Sequence, residues 1–93
     1  MTKQFVWSIE KNEWLKQNRD ITFEEIVFFI ENGGLLNVSD HPNRMQYPSQ
    51  RIFTVLVNKY VYLVPFVEDE SSVTLKTIFP SRKATRKHLK GGT

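Results

Sequence analysis

Residues 50–67 read Gln50-Arg51-Ile52-Phe53-Thr54-Val55-Leu56-Val57-Asn58-Lys59-Tyr60-Val61-Tyr62-Leu63-Val64-Pro65-Phe66-Val67. β-branched and aromatic residues fill two runs on either side of Asn58-Lys59. That pattern predicts an antiparallel hairpin of Gln50 to Val57 and Tyr60 to Val67. Asn suits the first turn position, but Lys is a poor second residue for a type I′ turn, so a slightly longer loop is an alternative. Pairing symmetric about the turn puts Arg51, Phe53, Val55, Tyr60, Tyr62, Val64 and Phe66 on one face. Ile52, Thr54, Leu56, Val61, Leu63 and Val67 fall on the other. Both sets are largely apolar, so both faces should be covered at least in part. Pro65 has no N–H to give, which predicts an edge or a bulge beside it.

Outward from the hairpin, Ser72 to Phe79 alternates as a further strand, with Val73, Leu75 and Phe79 on one side and Lys76 and Ile78 on the other. Pro80 ends it, and Ser81 can cap a helix of about Arg82 to Leu89. On the N-terminal side, Leu35 to Ser39 reads as a strand and Asp40 to Ser49 as a loop with two prolines. Thr22 and Glu25 form a capping box, and Ile21 and Ile26 hold the positions of a hydrophobic staple. Phe23, Ile26, Val27 and Ile30 then line one helical face, and Asn32-Gly33-Gly34 stops the helix. Ser8 caps an earlier helix of about Ile9 to Asn18, in which Lys11, Trp14, Leu15 and Asn18 form a half-polar stripe. Phe5-Val6-Trp7 is a short strand or extended lead-in. Two helices, three or four antiparallel strands and a terminal helix define an α+β fold.

The 93 residues suffice for one domain. They contain no cysteine, so disulfides and thiolate metal sites are excluded. The start, Met1-Thr2-Lys3-Gln4, has no apolar run behind it, and no stretch is apolar enough for a membrane span. A cytoplasmic protein is expected.

Net charge is +3, but its distribution is uneven. Lys76, Arg82, Lys83, Arg86, Lys87 and Lys90 lie in the last part of the chain with no acid among them, whereas all 10 acidic residues precede them. Such asymmetry points to a polyanion or an acidic protein as partner. In the terminal helix, Arg82 and Arg86 are four apart, as are Lys83 and Lys87. Each like-charged pair costs about 0.2–0.5 kcal/mol, and Arg82 and Lys83 sit at the positive end of the helix dipole. Phosphates would relieve this strain; so would water, if the face is simply solvated. Arg51 and Tyr60 or Tyr62, on one sheet face, are candidates to join that helix in an RNA site, through phosphate contact and base stacking. Meander aromatics more often fill a core. His88 lies among the cations, and a neutral imidazole can act as general base toward a ribose 2′-OH. His41 sits in a loop without metal-ligand spacing. Glu68-Asp69-Glu70 reads as a solvated turn. Glycine-rich phosphate loops and nucleophile-elbow or zinc-protease motifs are lacking, so no cofactor or metal is implied.

Phe5-Val6-Trp7-Ser8-Ile9-Glu10-Lys11-Asn12, followed by Ile21-Thr22-Phe23-Glu24-Glu25, resembles the N-terminal signature of the BrnT family, F-x-W-D-x-x-K-x-x-x-N and, after a short gap, [VI]-S-F-E-E-A. Ile78-Phe79-Pro80-Ser81-Arg82-Lys83-Ala84-Thr85-Arg86 resembles that family's I-I-S-A-R-x-A-T-x-x-E. The likeness runs through nearly the whole chain in order. It departs at Ser8, at Asn12, which sits earlier than the family's Asn, at the missing histidine of the K-H-G stretch, at Pro80 and Lys83, and at the glutamate expected after Arg86. The resemblance implies a single BrnT-like domain over residues 1–90, with a disordered tail at 91–93. It implies a RelE-like fold with two N-terminal helices packed on a three- to four-stranded antiparallel sheet. The function it implies is a ribonuclease toxin of a type II toxin–antitoxin system, cleaving RNA without metal and bound by a ribbon-helix-helix antitoxin in a hetero-oligomer. Arg51, Lys76, Arg82, Arg86 and His88 are then the candidate catalytic residues, with Lys76 or His88 moving the proton. Lys11, Tyr62, Lys83 and Lys87 are the candidate RNA-binding residues. A non-catalytic module that binds RNA or an antitoxin is the alternative, and a structural partner in a protein complex is a third reading.

Overall fold

The computed structural model describes residues 3–90; the expectation for 91–93 lies outside the described residues. The chain runs β1 (Gln4–Val6), α1 (Ile9–Arg19), α2 (Phe23–Phe29), β2 (Leu35–Asp40), β3 (Arg51–Val57), β4 (Tyr60–Glu68), β5 (Ser72–Leu75), β6 (Phe79–Pro80) and α3 (Arg82–Lys90). The class is α+β, as expected. The sheet is larger than expected: six strands, ordered β1-β5-β4-β3-β2, with β6 also on β4. It is mixed, because β1 pairs parallel with β5 while the other pairings are antiparallel.

The hairpin forms in the symmetric register, Val57 opposite Tyr60 and Arg51 opposite Phe66. The turn is the two-residue kind, with Asn58 at φ 50° and Lys59 at φ 74°. Both residues are left-handed, as a type I′ turn requires. The strong strands on either side impose this conformation on a lysine that does not favour it.

α1 begins where Ser8 accepts from the Lys11 N–H, and α2 begins with the reciprocal Thr22–Glu25 capping box. Asn12 ties the two helices together. Its Oδ1 accepts from the Phe23 N–H at 2.8 Å and its Nδ2 donates to Glu24 at 2.7 Å. The amide donation holds the Glu24 carboxyl below its ordinary range. α2 ends in a wide turn, Ile30–Gly34, with Gly33 at φ 93°. A Cβ on Gly34 would lie 2.7 Å from the Leu56 carbonyl oxygen, so glycine lets this turn press onto β3.

The core lies between these helices and the first face of the sheet. Leu15, Ile21, Phe23 and Ile26 pack against Phe53, Val55, Val57, Val64, Phe66, Val73, Leu75 and Ile78. Phe53 and Phe66 stack at 3.8 Å, and Trp7 stacks on Phe23 at 5.7 Å.

The expected strand of Ser72 to Phe79 is broken at residues 76–78. In the hairpin ladder, pairs that exchange hydrogen bonds alternate with pairs that do not. Counting from the turn, Pro65 turns its backbone away from β3 and toward β5. There its oxygen accepts from the Lys76 N–H at 2.8 Å, but it has no N–H to return. The β4–β5 ladder stops at Leu75, and pairing resumes with Phe79 opposite Leu63. The break overturns the expected sidedness: Ile78 enters the core at 0% exposure and Phe79 is 43% exposed.

Lys59→Gly should stabilise the protein by roughly 1–2 kcal/mol, the cost of a left-handed non-glycine residue. An unchanged or lower urea midpoint would contradict this account of the turn.

Candidate nucleic-acid interface

The second face of the sheet carries Asn37, Ser39, Ile52, Thr54, Val61, Leu63, Pro65 and Val67, and α3 covers one end of it. The attachment is made by backbone. Val61, like Pro65, turns its polar groups away from β3. Its oxygen accepts from the Ser81 N–H at 2.9 Å, and its N–H donates to Thr85 Oγ1 at 2.8 Å. The Thr85 hydroxyl donates in turn to the Ser81 carbonyl at 2.7 Å, and Ser81 Oγ caps the helix by accepting from the Ala84 N–H. Ser81, Ala84 and Thr85 are half-buried, whereas Arg82, Lys83, Arg86, Lys87 and His88 are exposed.

A cleft of about 270 Å³ lies between α3 and the sheet, lined by Asn37, Thr54, Leu63, Ser81, Lys83, Ala84, Lys87 and His88. Among the described residues, no acid lines it, and no carboxylate lies within ion-pair distance of Arg82, Lys83, Arg86 or Lys87. Asn37 reaches the cleft because of a bulge: Leu35 is opposite Val55, but Asn37 is opposite Thr54. The extra residue moves Asn37 to the second face and Val38 to the core side.

Of the residues singled out in the sequence, Lys83, Lys87 and His88 thus converge. Arg82 and Arg86 occupy the outer flank of the same helix. Lys76 lies in an adjoining cleft with His41, Tyr47, Gln50, Pro65, Thr77 and Phe79.

Arg51 does not join them. It is on the first face, opposite Phe66 and Asp40. Its guanidinium lies 3.7 Å from Asp40 and 3.5 Å from Glu68. Glu68, expected in a solvated turn, closes β4 and also pairs with Lys3 at 2.9 Å. The Lys3 hydrogen bond is the main reason that the Glu68 carboxyl sits below its usual range. Tyr62 is also on the first face, half-buried against the core and edge-on to Tyr60 at 5.5 Å. Burial, with smaller contributions from Tyr60, Glu25 and Asp20, pushes its phenol up. The sheet itself separates both residues from α3. Lys11 lies over Trp14 at 4.5 Å, and Arg19 lies between Trp14 and Phe79 at 5.0 and 5.1 Å.

Asn37, Thr54 and Ser81 were not singled out as site residues. The bulge breaks the period-two pattern that would have placed Asn37, and a strand threonine looks the same whichever helix covers it. Among the described residues, no group of three or more His, Asp or Glu converges, and no helix is long and apolar enough to cross a membrane.

Thr85→Ala leaves the Val61 N–H without a partner. It should cost about 1–3 kcal/mol and speed amide exchange throughout α3; unchanged exchange there would contradict the proposed attachment. At the opposite edge, Glu68 has a lowered folded-state pKa. Its contribution is present above the unfolded carboxyl value of about 4.3 and is lost as pH falls through the folded value. Lys3→Met should flatten the acid side of the stability profile, most clearly at low salt. No family model, curated protein or solved structure matches this chain, so its function rests on its own residues and their geometry.

Proposed function

We propose that this chain is a ribonuclease toxin of a type II toxin–antitoxin pair, and that it binds RNA in the cleft beneath α3 and cuts it without a metal ion. The observation that carries the proposal is the meeting of Lys83, Lys87 and His88 on one cleft that, among the described residues, no acid lines. The BrnT-like order of motifs supports the same reading, as does the α+β class.

RNA would lie with its phosphates against Lys83 and Lys87, and Arg82 and Arg86 would extend the positive surface along the strand. His88 is the proton acceptor for the ribose 2′-OH. The 2′-oxygen attacks the adjacent phosphorus, the bond to the 5′-oxygen breaks, and a 2′,3′-cyclic phosphate remains. A lysine ammonium or water returns a proton to the leaving oxygen. The ammonium groups offset the charge that builds on the phosphoryl oxygens. Thr54 and Asn37 offer neutral hydrogen bonds to the sugar or phosphate. Arg51, already committed to Asp40 and Glu68, has no part in this scheme. A ribbon-helix-helix antitoxin would neutralise the toxin in a hetero-oligomer in the cytoplasm.

The alternative, binding without cleavage, is favoured by one observation: among the described residues His88 is the only imidazole lining the cleft, and Arg51 is remote from it.

Expression of the chain should arrest translation, and purified protein should cut RNA in the presence of EDTA. His88→Ala should slow cleavage by about 10²–10⁴-fold while leaving binding within a few-fold. Replacing Lys83 and Lys87 with Gln should lower the salt dependence of binding by about 0.7 in log–log slope per lost phosphate contact; Arg51→Gln should not change it. RNA left intact at saturating protein would select the non-catalytic reading, and affinity independent of salt would reject both.

A further inference from the structure

The second cleft on this sheet face measures about 220 Å³ and is lined by His41, Tyr47, Gln50, Pro65, Lys76, Thr77 and Phe79. It adjoins the first. Leu63 lines one and Pro65 the other, two residues apart on the same side of β4, which is about 7 Å along a strand. The cleft is smaller than the roughly 300–1,000 Å³ typical of drug-sized ligands, so it suits one ring system rather than an extended molecule.

Its walls differ from those beneath α3. Phe79 offers a ring that is 43% exposed, because the interruption at Pro65 turned it out of the core, and Arg19 lies against that ring at 5.1 Å. On the loop side, Tyr47 and His41 lie ring against ring at 4.6 Å. The loop is held in place: His41 N–H donates to the Gln50 carbonyl at 3.0 Å, and His41 Nδ1 accepts from the Asn43 N–H. Gln50 brings to the lining an amide with both donor and acceptor. Lys76 adds a cation.

We propose that this cleft is a base-recognition subsite. It takes one unstacked RNA base between Phe79 and the Tyr47–His41 pair, while the adjoining backbone lies against Lys83 and Lys87. The Gln50 amide reads the edge of the base, and Lys76 contacts the flanking phosphate. Aromatic walls with a few hydrogen-bonding groups are how proteins read single-stranded RNA. The inference rests on the RNA reading of the α3 cleft and adds sequence preference to it.

The test uses the full chain and four 2′-O-methyl hexanucleotides, which resist cleavage and differ only in one central base. Binding is read by fluorescence anisotropy over a range of salt. Wild-type protein should favour one base. Gln50→Leu should reduce that preference by about three- to tenfold, the worth of one neutral hydrogen bond, and leave the salt slope unchanged. Gln50 holds His41 and Tyr47 through its backbone, so this side-chain variant should fold as wild type. Tyr47→Ala, on the exposed loop, should weaken binding to all four oligonucleotides without changing the slope. The Lys83→Gln, Lys87→Gln double variant should do the reverse, lowering the slope and keeping the preference. Equal binding of all four by wild-type protein, or full preference retained in Gln50→Leu, would overturn the subsite and leave the α3 reading standing. Absence of salt-dependent binding to any of them would overturn the α3 reading and the subsite together.

Discussion

The architecture turns on the outward edge of β4. That strand has β3 along one side from Tyr60 to Phe66, and its other side must satisfy the outward-facing backbone groups. Three partners share that edge. β5 covers Phe66 to Glu68, β6 covers Tyr62 and Leu63, and the start of α3 covers Val61. The division exists because Pro65 cannot donate. An unbroken strand in place of β5 and β6 would carry the chain past β4 in one line. The interruption instead shifts sidedness, buries Ile78, exposes Phe79 and brings Ser81 to the end of β4 in position to start a helix.

Both clefts follow from that single missing N–H. The cleft beneath α3 exists because the helix is pinned by its first turn to Val61 and so lies across the second face of the sheet. The neighbouring cleft is bounded by the residues of the break itself, Lys76, Thr77 and Phe79. A bulge in β2 completes the first cleft by turning Asn37 into it. Irregularities of this kind cost ladder hydrogen bonds, and sheets tend to carry them beside functional surfaces.

Charge is arranged by the same geometry. The two faces of the hairpin send their cations to different surroundings. Arg51, on the helix-covered face, meets Asp40 and Glu68 and is neutralised there. The α3 cations meet no acid among the described residues, since the carboxylates of this chain belong to the N-terminal helices, the strand ends and the loops. The helix bears like charges four residues apart and tolerates them because its hold on the sheet comes from backbone groups and from Ser81 and Thr85.

Much of the frame was legible in the residues alone, wherever a local rule was enough. The capping box, the two N-terminal helices, the hairpin register, the division of the hairpin into two apolar faces and the basic terminal helix are all set by neighbours within a few positions. The sign of the charge on α3 was equally plain. The sequence could not show which face that helix would cover, because this depends on which β4 groups other strands leave free. Hence Arg51 and Tyr62, plausible companions of α3 by residue type, proved to be on the opposite face, while Asn37 and Thr54 entered the cleft unannounced. β1 could be recognised as extended but not as the parallel partner of β5, since Gln4 and Ser72 are far apart in the chain. Local chemistry determined the elements; the allocation of backbone hydrogen bonds across the sheet, a non-local matter, decided which side chains meet.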